Sequence, residues 1–217
     1  MPLSRPLGII GSSGGSALAA AVDCLSNAGL EQPWYVVTDR DCGMAAWAEA
    51  KAAAVTRIDY PDSRMFSEAA FSFFQRKGVQ EILLFYTRRI DRPLIDRMKV
   101  YNIHPSLLPA FPGMGAVRKA LRAGVDRIGA TLHRVDAGLD TGDIVLQTAA
   151  TVGSDCSLEC AERISYVQKT WLTLRWHEMM TIGVDSPALA PLSPATYEAF
   201  SRFVERLGCE AISGLDG

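Results

Sequence analysis

Three side chains suited to acid–base chemistry stand in two short segments of this sequence. Asn102 and His104 lie in YNIHPSLLPAFPG, residues 101–113, and Asp140 lies in HRVDAGLDTGDIVLQ, residues 133–147. In an extended strand, residues two apart project from the same face, and Pro105 restricts His104 to extended backbone. An amide and an imidazole can both donate to a carbonyl oxygen, and a nearby carboxylate would fix the tautomer of the imidazole. Together the three would suit transfer of a carbonyl group to an amine.

Each of these residues also has an ordinary structural interpretation. An asparagine before a proline-rich loop is commonly a turn residue, and a lone histidine is commonly structural. An aspartate in a glycine-flanked turn commonly hydrogen-bonds its own backbone. The three residue types alone leave both interpretations open.

The glycine-rich segment GSSGGSAL, from Gly11 to Leu18, offers a second candidate site. Glycines let backbone amides approach a ligand, and a helix N-terminus that follows them favours an anion. The segment matches neither G-x-G-x-x-G nor the phosphate loop with lysine, so a tight turn without a ligand is an equal alternative. No acidic residue is convincingly placed after the second predicted strand, which disfavours an NAD-dependent dehydrogenase.

The composition is that of an ordinary globular protein. The 217 residues are 48% hydrophobic and 21% charged, enough for one domain, or one domain with a small appendage. The formal net charge of −2 argues against nucleic-acid binding by phosphate neutralisation. No apolar run approaches the ~18–20 residues of a membrane span. The odd number of cysteines fits reduced thiols, and Cys156 and Cys160 lack a histidine at zinc-finger spacing. We expect a cytoplasmic protein with no nucleic-acid, membrane or metal partner, and its oligomeric state stays open.

Apolar runs that alternate with helical patterns predict a parallel sheet in the first half of the chain, because parallel strands need long crossover connections. The predicted strands there are residues 7–11, 34–38 and 81–86, and the predicted helices are residues 16–25, 45–55 and 63–76. In the second half, residues 129–135 and 143–148 predict an antiparallel pair at an edge. A long helix is predicted from residue 157 to about 180. A proline-rich break follows over 186–194, and a short helix over 195–207 ends at Gly208.

The two segments of the opening paragraph resemble the two signature segments of the folate-dependent formyltransferases. NIHPSLLPAFPG (102–113) and GATLHRVDAGLDTGDIVLQ (129–147) have that family's order and spacing, and in length and layout the chain is most similar to members that formylate glycinamide ribonucleotide. The resemblance implies an α/β fold with a Rossmann-like, mostly parallel sheet flanked by helices and antiparallel edge strands in the C-terminal half. It also implies a catalytic domain over 1–184. Residues 185–217 would then be a proline-rich linker and a short helix of unknown role.

The resemblance further implies 10-formyltetrahydrofolate as co-substrate, no metal, and a set of site residues. Asn102 and His104 would donate to the formyl oxygen, and Asp140 would orient the imidazole or an ordered water and assist proton removal. The residues implied for the folate are Arg89, Ile90, Val135, Ala137 and Gly138. The residues implied for the acceptor are Gly14, Gly15, Ser16, Arg64 and Gln168.

Several positions depart from the family pattern, and they concern binding rather than chemistry. Ala17 stands where the family commonly has an asparagine, and Gln168 replaces a glutamate that grips the acceptor. Thr87 and Arg88 are more polar than the residues of the pterin wall, and GMGAV at 113–117 lacks a histidine-containing run. We therefore expect a small-molecule amine or hydroxylamine acceptor that can be anionic and need not be glycinamide ribonucleotide. A hydroxyornithine-like siderophore precursor and an amino sugar nucleotide are further candidates.

Two other functions remain as alternatives at this point. One is a hydrolase that releases formate from 10-formyltetrahydrofolate, with water in place of the amine. The other is a catalytically inactive relative that binds folate or a nucleotide.

Overall fold

The computed structural model describes residues 5–51, 53–182 and 192–208. The strands are β1 (Leu7–Gly11), β2 (Trp34–Thr38), β3 (Ala54–Arg57), β4 (Glu81–Phe85), β5 (Lys99–His104), β6 (Arg127–Arg134) and β7 (Ile144–Thr151). The helices are α1 (Ser16–Asn27), α2 (Gly43–Ala50), α3 (Ser63–Arg76), α4 (Leu94–Arg97), α5 (Ala116–Arg122), α6 (Leu158–Ile182) and α7 (Pro194–Arg206). None of the helices in these ranges combines the length and the apolar character that crossing a bilayer requires.

The seven strands form one sheet in the order β3-β2-β1-β4-β5-β6-β7. β1 pairs in parallel with both β2 and β4, and β6 pairs with β7 in antiparallel register. All five residues of β1 are buried, as expected for a parallel strand covered on both faces. The predicted fold class, a mostly parallel sheet with an antiparallel C-terminal edge, is confirmed.

The element predictions fail mainly around one edge strand. Residues 45–55 were predicted as one helix, but α2 ends at Ala50 and β3 begins at Ala54. The segment is rich in alanine, which favours a helix locally, and pairing with β2 converts its end into a strand. The strand predicted as the third is therefore the fourth, and the two short helices α4 and α5 were not predicted.

The chain divides into two compact units, of which the first comprises Met1–Ser16, Glu31–Asn102 and Arg134–Ala137. Its core packs aromatic residues of α3 against the strands, with Phe66 and Phe74 fully buried. Asp62 begins α3 by accepting a hydrogen bond from Met65 N at 2.8 Å, which satisfies one of the free amides of the first turn.

The second unit comprises Ala17–Leu30, Ile103–His133 and Gly138–Gly217. Ile128 and Ala150, opposite each other on β6 and β7, pack with Ile164 of α6. Cys156 precedes α6, and Cys160 lies in its first turn. Ser193 caps α7, and Gly208 follows it with φ of 59°, which agrees with the predicted terminal helix. Residues 186–191 of the predicted proline-rich break lie outside the described residues.

Candidate active site

His104 ends β5 and is held on both of its ring nitrogens. Its Nε2 lies 2.9 Å from the carbonyl oxygen of Phe111, and its Nδ1 lies 3.2 Å from Asp140 Oδ2. Asp140 Oδ2 also accepts from Gly113 N at 2.8 Å. The side chains of His104 and Asp140 are only 7% and 10% exposed, so water competes little for these bonds. The structure therefore brings together two of the three residues predicted for catalysis.

The partners of His104 fix the orientation of its ring. A carbonyl oxygen can only accept, so Nε2 carries a hydrogen that it donates to Phe111. Nδ1 faces Asp140 Oδ2, an oxygen that already accepts from Gly113 N. A ring donor oriented in this way can stabilise negative charge that develops on a reacting oxygen.

Both partners of His104 sit in an unusual backbone conformation. Phe111 has φ of 55° and Asp140 has φ of 54°, in the left-handed region that residues with a side chain seldom adopt. Such a conformation costs about 1 kcal/mol or more and persists when the surroundings fix it. Here the fixed contacts are the bonds to His104 and to Gly113. The strain therefore coincides with the groups that orient the imidazole.

A buried hydroxyl fastens the proline-containing loop that follows His104. Thr131 Oγ1 donates to the carbonyl of Ser106 at 2.6 Å and accepts from Leu108 N at 3.1 Å. It also accepts from Gln147 Nε2 at 2.9 Å, and the same amide donates to Leu108 O at 2.9 Å. Side chains of strands β6 and β7 thus bind the backbone at Ser106 and Leu108 in the loop that carries Phe111.

Asn102 and His133 are two further polar residues of the same two segments. Asn102 lies on β5 two residues before His104, on the same face of that strand, and is half-buried. His133 is buried on β6, with Nε2 3.6 Å from Asp140 Oδ1, longer than a hydrogen bond of ordinary strength. This buried contact fits a structural role for His133.

The first unit holds four of the five residues predicted for the folate. Arg89 donates from Nη2 to the carbonyl of Ala137 at 3.0 Å. Ile90 is buried in the aromatic core of the unit, and Val135 packs against the same core and donates from its amide to Val100 O. The fifth residue, Gly138, belongs to the second unit, where a Cβ at its position would lie 1.9 Å from Thr141 Oγ1.

The glycine-rich turn packs tightly on one side and is open on the other. A Cβ at Gly15, whose φ is 65°, would lie 2.7 Å from the Cε of the buried Met44. Gly14 has open space around it, and Gly14 and Ser16 are exposed. Close packing against Met44 is thus one reason for the glycines, and the exposed side stays available to a ligand. Arg64, the other residue predicted for an anion, is 79% exposed in its side chain and pairs with Glu68.

Gln168 is the predicted acceptor-binding residue that the structure places in the core. It is fully buried on α6, and its Nε2 donates to the carbonyl of Ile128 at 3.2 Å. Among the described residues, its Oε1 has no hydrogen-bond partner. The side chain thus presents no exposed atom to an acceptor in this structure.

Sequence analysis did not single out Asp39, the acidic residue that directly follows β2. Its carboxylate is fully buried and accepts from Arg40, so it is not open to the hydroxyls of a ribose. Within the described ranges, no group of three or more His, Cys, Asp or Glu residues is arranged to hold a metal ion.

Comparison with known proteins gives one consistent family. Residues 7–174 match the formyl transferase family. A phosphoribosylglycinamide formyltransferase from Bacillus subtilis is 41% identical over 116 residues, 52% of this chain and 60% of that protein, so less than two thirds of it is spanned. Another from Mycobacterium tuberculosis is 31% identical over 204 residues, 85% of this chain and 90% of the relative. The crystal structure of glycinamide ribonucleotide transformylase 1 from Symbiobacterium toebii has a TM-score of 0.74 at 30% identity, covering 84% of this chain and 89% of that one.

Proposed function

Because this chain belongs to the formyl transferase family, we propose that it transfers a formyl group from 10-formyltetrahydrofolate to the amine or hydroxylamine nitrogen of a small-molecule acceptor. The observation that supports this proposal most is the buried pair between His104 Nδ1 and Asp140 Oδ2, 3.2 Å apart. The pair supplies an imidazole able to donate a hydrogen bond or a proton, as acyl transfer needs, and a carboxylate that orients it. The folate donor rests on family membership.

In the proposed reaction, the acceptor nitrogen attacks the formyl carbon and a new C–N bond forms. The carbonyl electron pair moves to oxygen, where His104 and Asn102 donate hydrogen bonds to the negative charge. The acceptor nitrogen then loses a proton, with Asp140 assisting directly or through water. The bond from the formyl carbon to the folate nitrogen breaks, and that nitrogen takes up the electron pair and a proton. The products are tetrahydrofolate and the formylated acceptor.

The contact between His104 and Phe111 adds one requirement to this scheme. His104 Nε2 donates to the carbonyl of Phe111 at 2.9 Å, while Nδ1 faces Asp140. Donation from Nε2 to a formyl oxygen therefore requires that oxygen to replace or share the Phe111 carbonyl. The left-handed backbone at Phe111 holds some strain, which lowers the cost of moving it.

The acceptor is the finer part of the proposal. Two relatives are named phosphoribosylglycinamide formyltransferases, so glycinamide ribonucleotide is the first acceptor to test. We propose Gly14, Gly15, Ser16 and Arg64 for an anionic group of the acceptor. The folate would contact Arg89, Ile90, Val135, Ala137 and Gly138. Gln168 is left out because it is buried. That departure favours an acceptor other than glycinamide ribonucleotide, such as a hydroxyornithine-like compound or an amino sugar nucleotide.

The test is incubation with 10-formyltetrahydrofolate and a panel of these acceptors, with release of tetrahydrofolate and of formate measured separately. Transfer predicts tetrahydrofolate release that depends on an amine, without formate. Formate release without any amine would identify a hydrolase instead. Tight folate binding with no turnover, unaffected by His104→Ala, would identify an inactive binding protein.

A further inference from the structure

Two arginines in the first unit share one buried carboxylate. Asp39 Oδ1 accepts from Arg40 Nε at 2.9 Å, and Oδ2 accepts from Arg40 Nη2 at 2.8 Å and faces Arg88 Nη1 at 3.0 Å. The Asp39 side chain is fully buried, whereas those of Arg40 and Arg88 are 41% and 39% exposed. Burial opposes ionisation of Asp39, but the hydrogen bonds and charges of the two arginines outweigh it and lower its pKa.

The cluster lies beside the start of the glycine-rich turn. β2 and β4 flank β1, with Thr38 and Phe85 both in register with Gly11, so their ends are about 10 Å apart. The contact from Asp39, after β2, to Arg88, after β4, therefore crosses the end of β1. Ser12 begins the turn at this point, and its hydroxyl lies 3.2 Å from Thr87 Oγ1. The carboxyl ends of parallel strands are where ligands bind in open α/β sheets.

One carboxylate needs only one cation for neutrality, so Asp39, Arg40 and Arg88 together carry a net charge of about +1. Asp39 occupies two of the five N–H groups of Arg40 and one of those of Arg88, which leaves donors on both partly exposed guanidinium groups. Arg88 is also fixed by stacking on Tyr60, 4.7 Å from the ring centroid. The nearby acids Asp41 and Asp59 pair with Arg57 and are 93% and 90% exposed, so solvent screens them.

We propose that Arg40 and Arg88 bind an oxyanion beside the glycine-rich turn, with Asp39 as the residue that positions them. This inference rests on the proposed function, since it assigns the oxyanion to the acceptor. The acceptor would then carry two acidic groups, one at the exposed side of Gly14 and one at the arginines. The second group is a phosphate or a carboxylate, because guanidinium groups bind both.

The experiment is isothermal titration calorimetry with three probes: inorganic phosphate, pyrophosphate and phosphonoacetate. The variants are Arg40→Gln and, as a matched loss of charge, Arg202→Gln, an exposed arginine on α7 paired with Glu198. We expect at least one of the two probes that carry two acidic groups, pyrophosphate or phosphonoacetate, to bind wild type roughly tenfold more tightly than phosphate, the scale of a charge-assisted hydrogen bond. Arg40→Gln should abolish that advantage, and Arg202→Gln should keep it. Tighter binding of pyrophosphate would identify the second group as a phosphate, and tighter binding of phosphonoacetate would identify it as a carboxylate.

Every other outcome refutes either the oxyanion site or the proposed function. If neither pyrophosphate nor phosphonoacetate binds more tightly than phosphate, the site does not exist. The same conclusion follows if Arg40→Gln binds these two probes as tightly as Arg202→Gln does. If Arg40→Gln weakens binding of 10-formyltetrahydrofolate instead, the oxyanion belongs to the donor and the acceptor assignment is wrong. Arg88→Gln serves as the second variant should Arg40→Gln melt at a lower temperature. Anion binding that depends on Arg40 without formyl transfer to any amine would retain the site and refute the proposed function.

Discussion

Replacing Asp140 with asparagine separates the charge opposite His104 from the shape around it. Asparagine keeps an oxygen that can accept from Gly113 N, and it tolerates the left-handed backbone at φ of 54°. What it removes is a negative charge 3.2 Å from His104 Nδ1. When His104 is protonated, two unit charges at that distance attract each other by roughly 5 kcal/mol at an effective dielectric constant of about 20.

Only part of that attraction acts on the reaction, because burying the two charges has its own desolvation cost. A loss of about 2.7 kcal/mol in the transition state already lowers the rate about a hundredfold. We therefore expect Asp140→Asn to lower kcat/KM for formyl transfer about a hundredfold or more. The melting temperature should change by no more than about 3 °C, because the backbone bond from Gly113 is retained.

The assay follows tetrahydrofolate release with the best acceptor of the panel. Asp143→Asn, an exposed change in the same loop, is the control and should leave kcat/KM unaltered. Asp140→Ala should lose activity and stability together, since alanine gives up the Gly113 bond and adopts φ of 54° less readily. An Asp140→Asn enzyme within about threefold of wild type would refute the argument that the charge sustains turnover.

Three further predictions concern stability. Burial lowers the pKa of His177 to about 4, below the ~6.5 of the unfolded chain. As pH falls, the unfolded chain takes up this proton before the folded protein does, so folding becomes less favourable. Wild type should therefore lose roughly 3 kcal/mol of unfolding free energy between pH 6.5 and 4 relative to His177→Gln. Unfolding free energies from urea denaturation that change with pH equally in the two proteins would contradict this. Thr131→Val should cost about 2–4 kcal/mol in urea denaturation, because it leaves two loop groups, Ser106 O and Leu108 N, without this partner, with Thr131→Ser close to wild type. Gln168→Glu should destabilise more at pH 7 than at pH 5, since a buried carboxylate ionises at the higher pH and cannot donate to Ile128 O; equal losses at both pH values would argue against it.

The parts of the fold that the sequence predicts are those where local pattern and tertiary environment agree. β1 and β2 were predicted to the residue because a short, continuous apolar run is what a strand covered on both faces requires. β3 was missed because its alanine-containing segment is helical by propensity and becomes a strand only through the backbone of β2. The information that decides such an edge strand lies in its neighbour.

The candidate site divides in the same way. His104 and Asp140 could be found because side chains able to carry charge are visible in the sequence, and the resemblance paired them. The Phe111 carbonyl and the Gly113 amide could not be found, because every residue has these groups and only the folded backbone aims them.

In the proposals above, formyl transfer and the choice of acceptor depend on different residues, as Gln168 and Arg40 illustrate. In the proposed reaction His104 needs the carboxylate of Asp140 opposite it, so few changes at Asp140 leave the chemistry possible. An acceptor contact has no such constraint. An amide at position 168 can donate to Ile128 O, as an ionised carboxylate cannot, and its side chain is accordingly buried. On the other unit, Arg40 adds a second guanidinium to the carboxylate of Asp39 and leaves a net positive charge beside the glycine-rich turn. In the proposals above, both residues bear on what the protein binds without touching the pair that would perform the transfer.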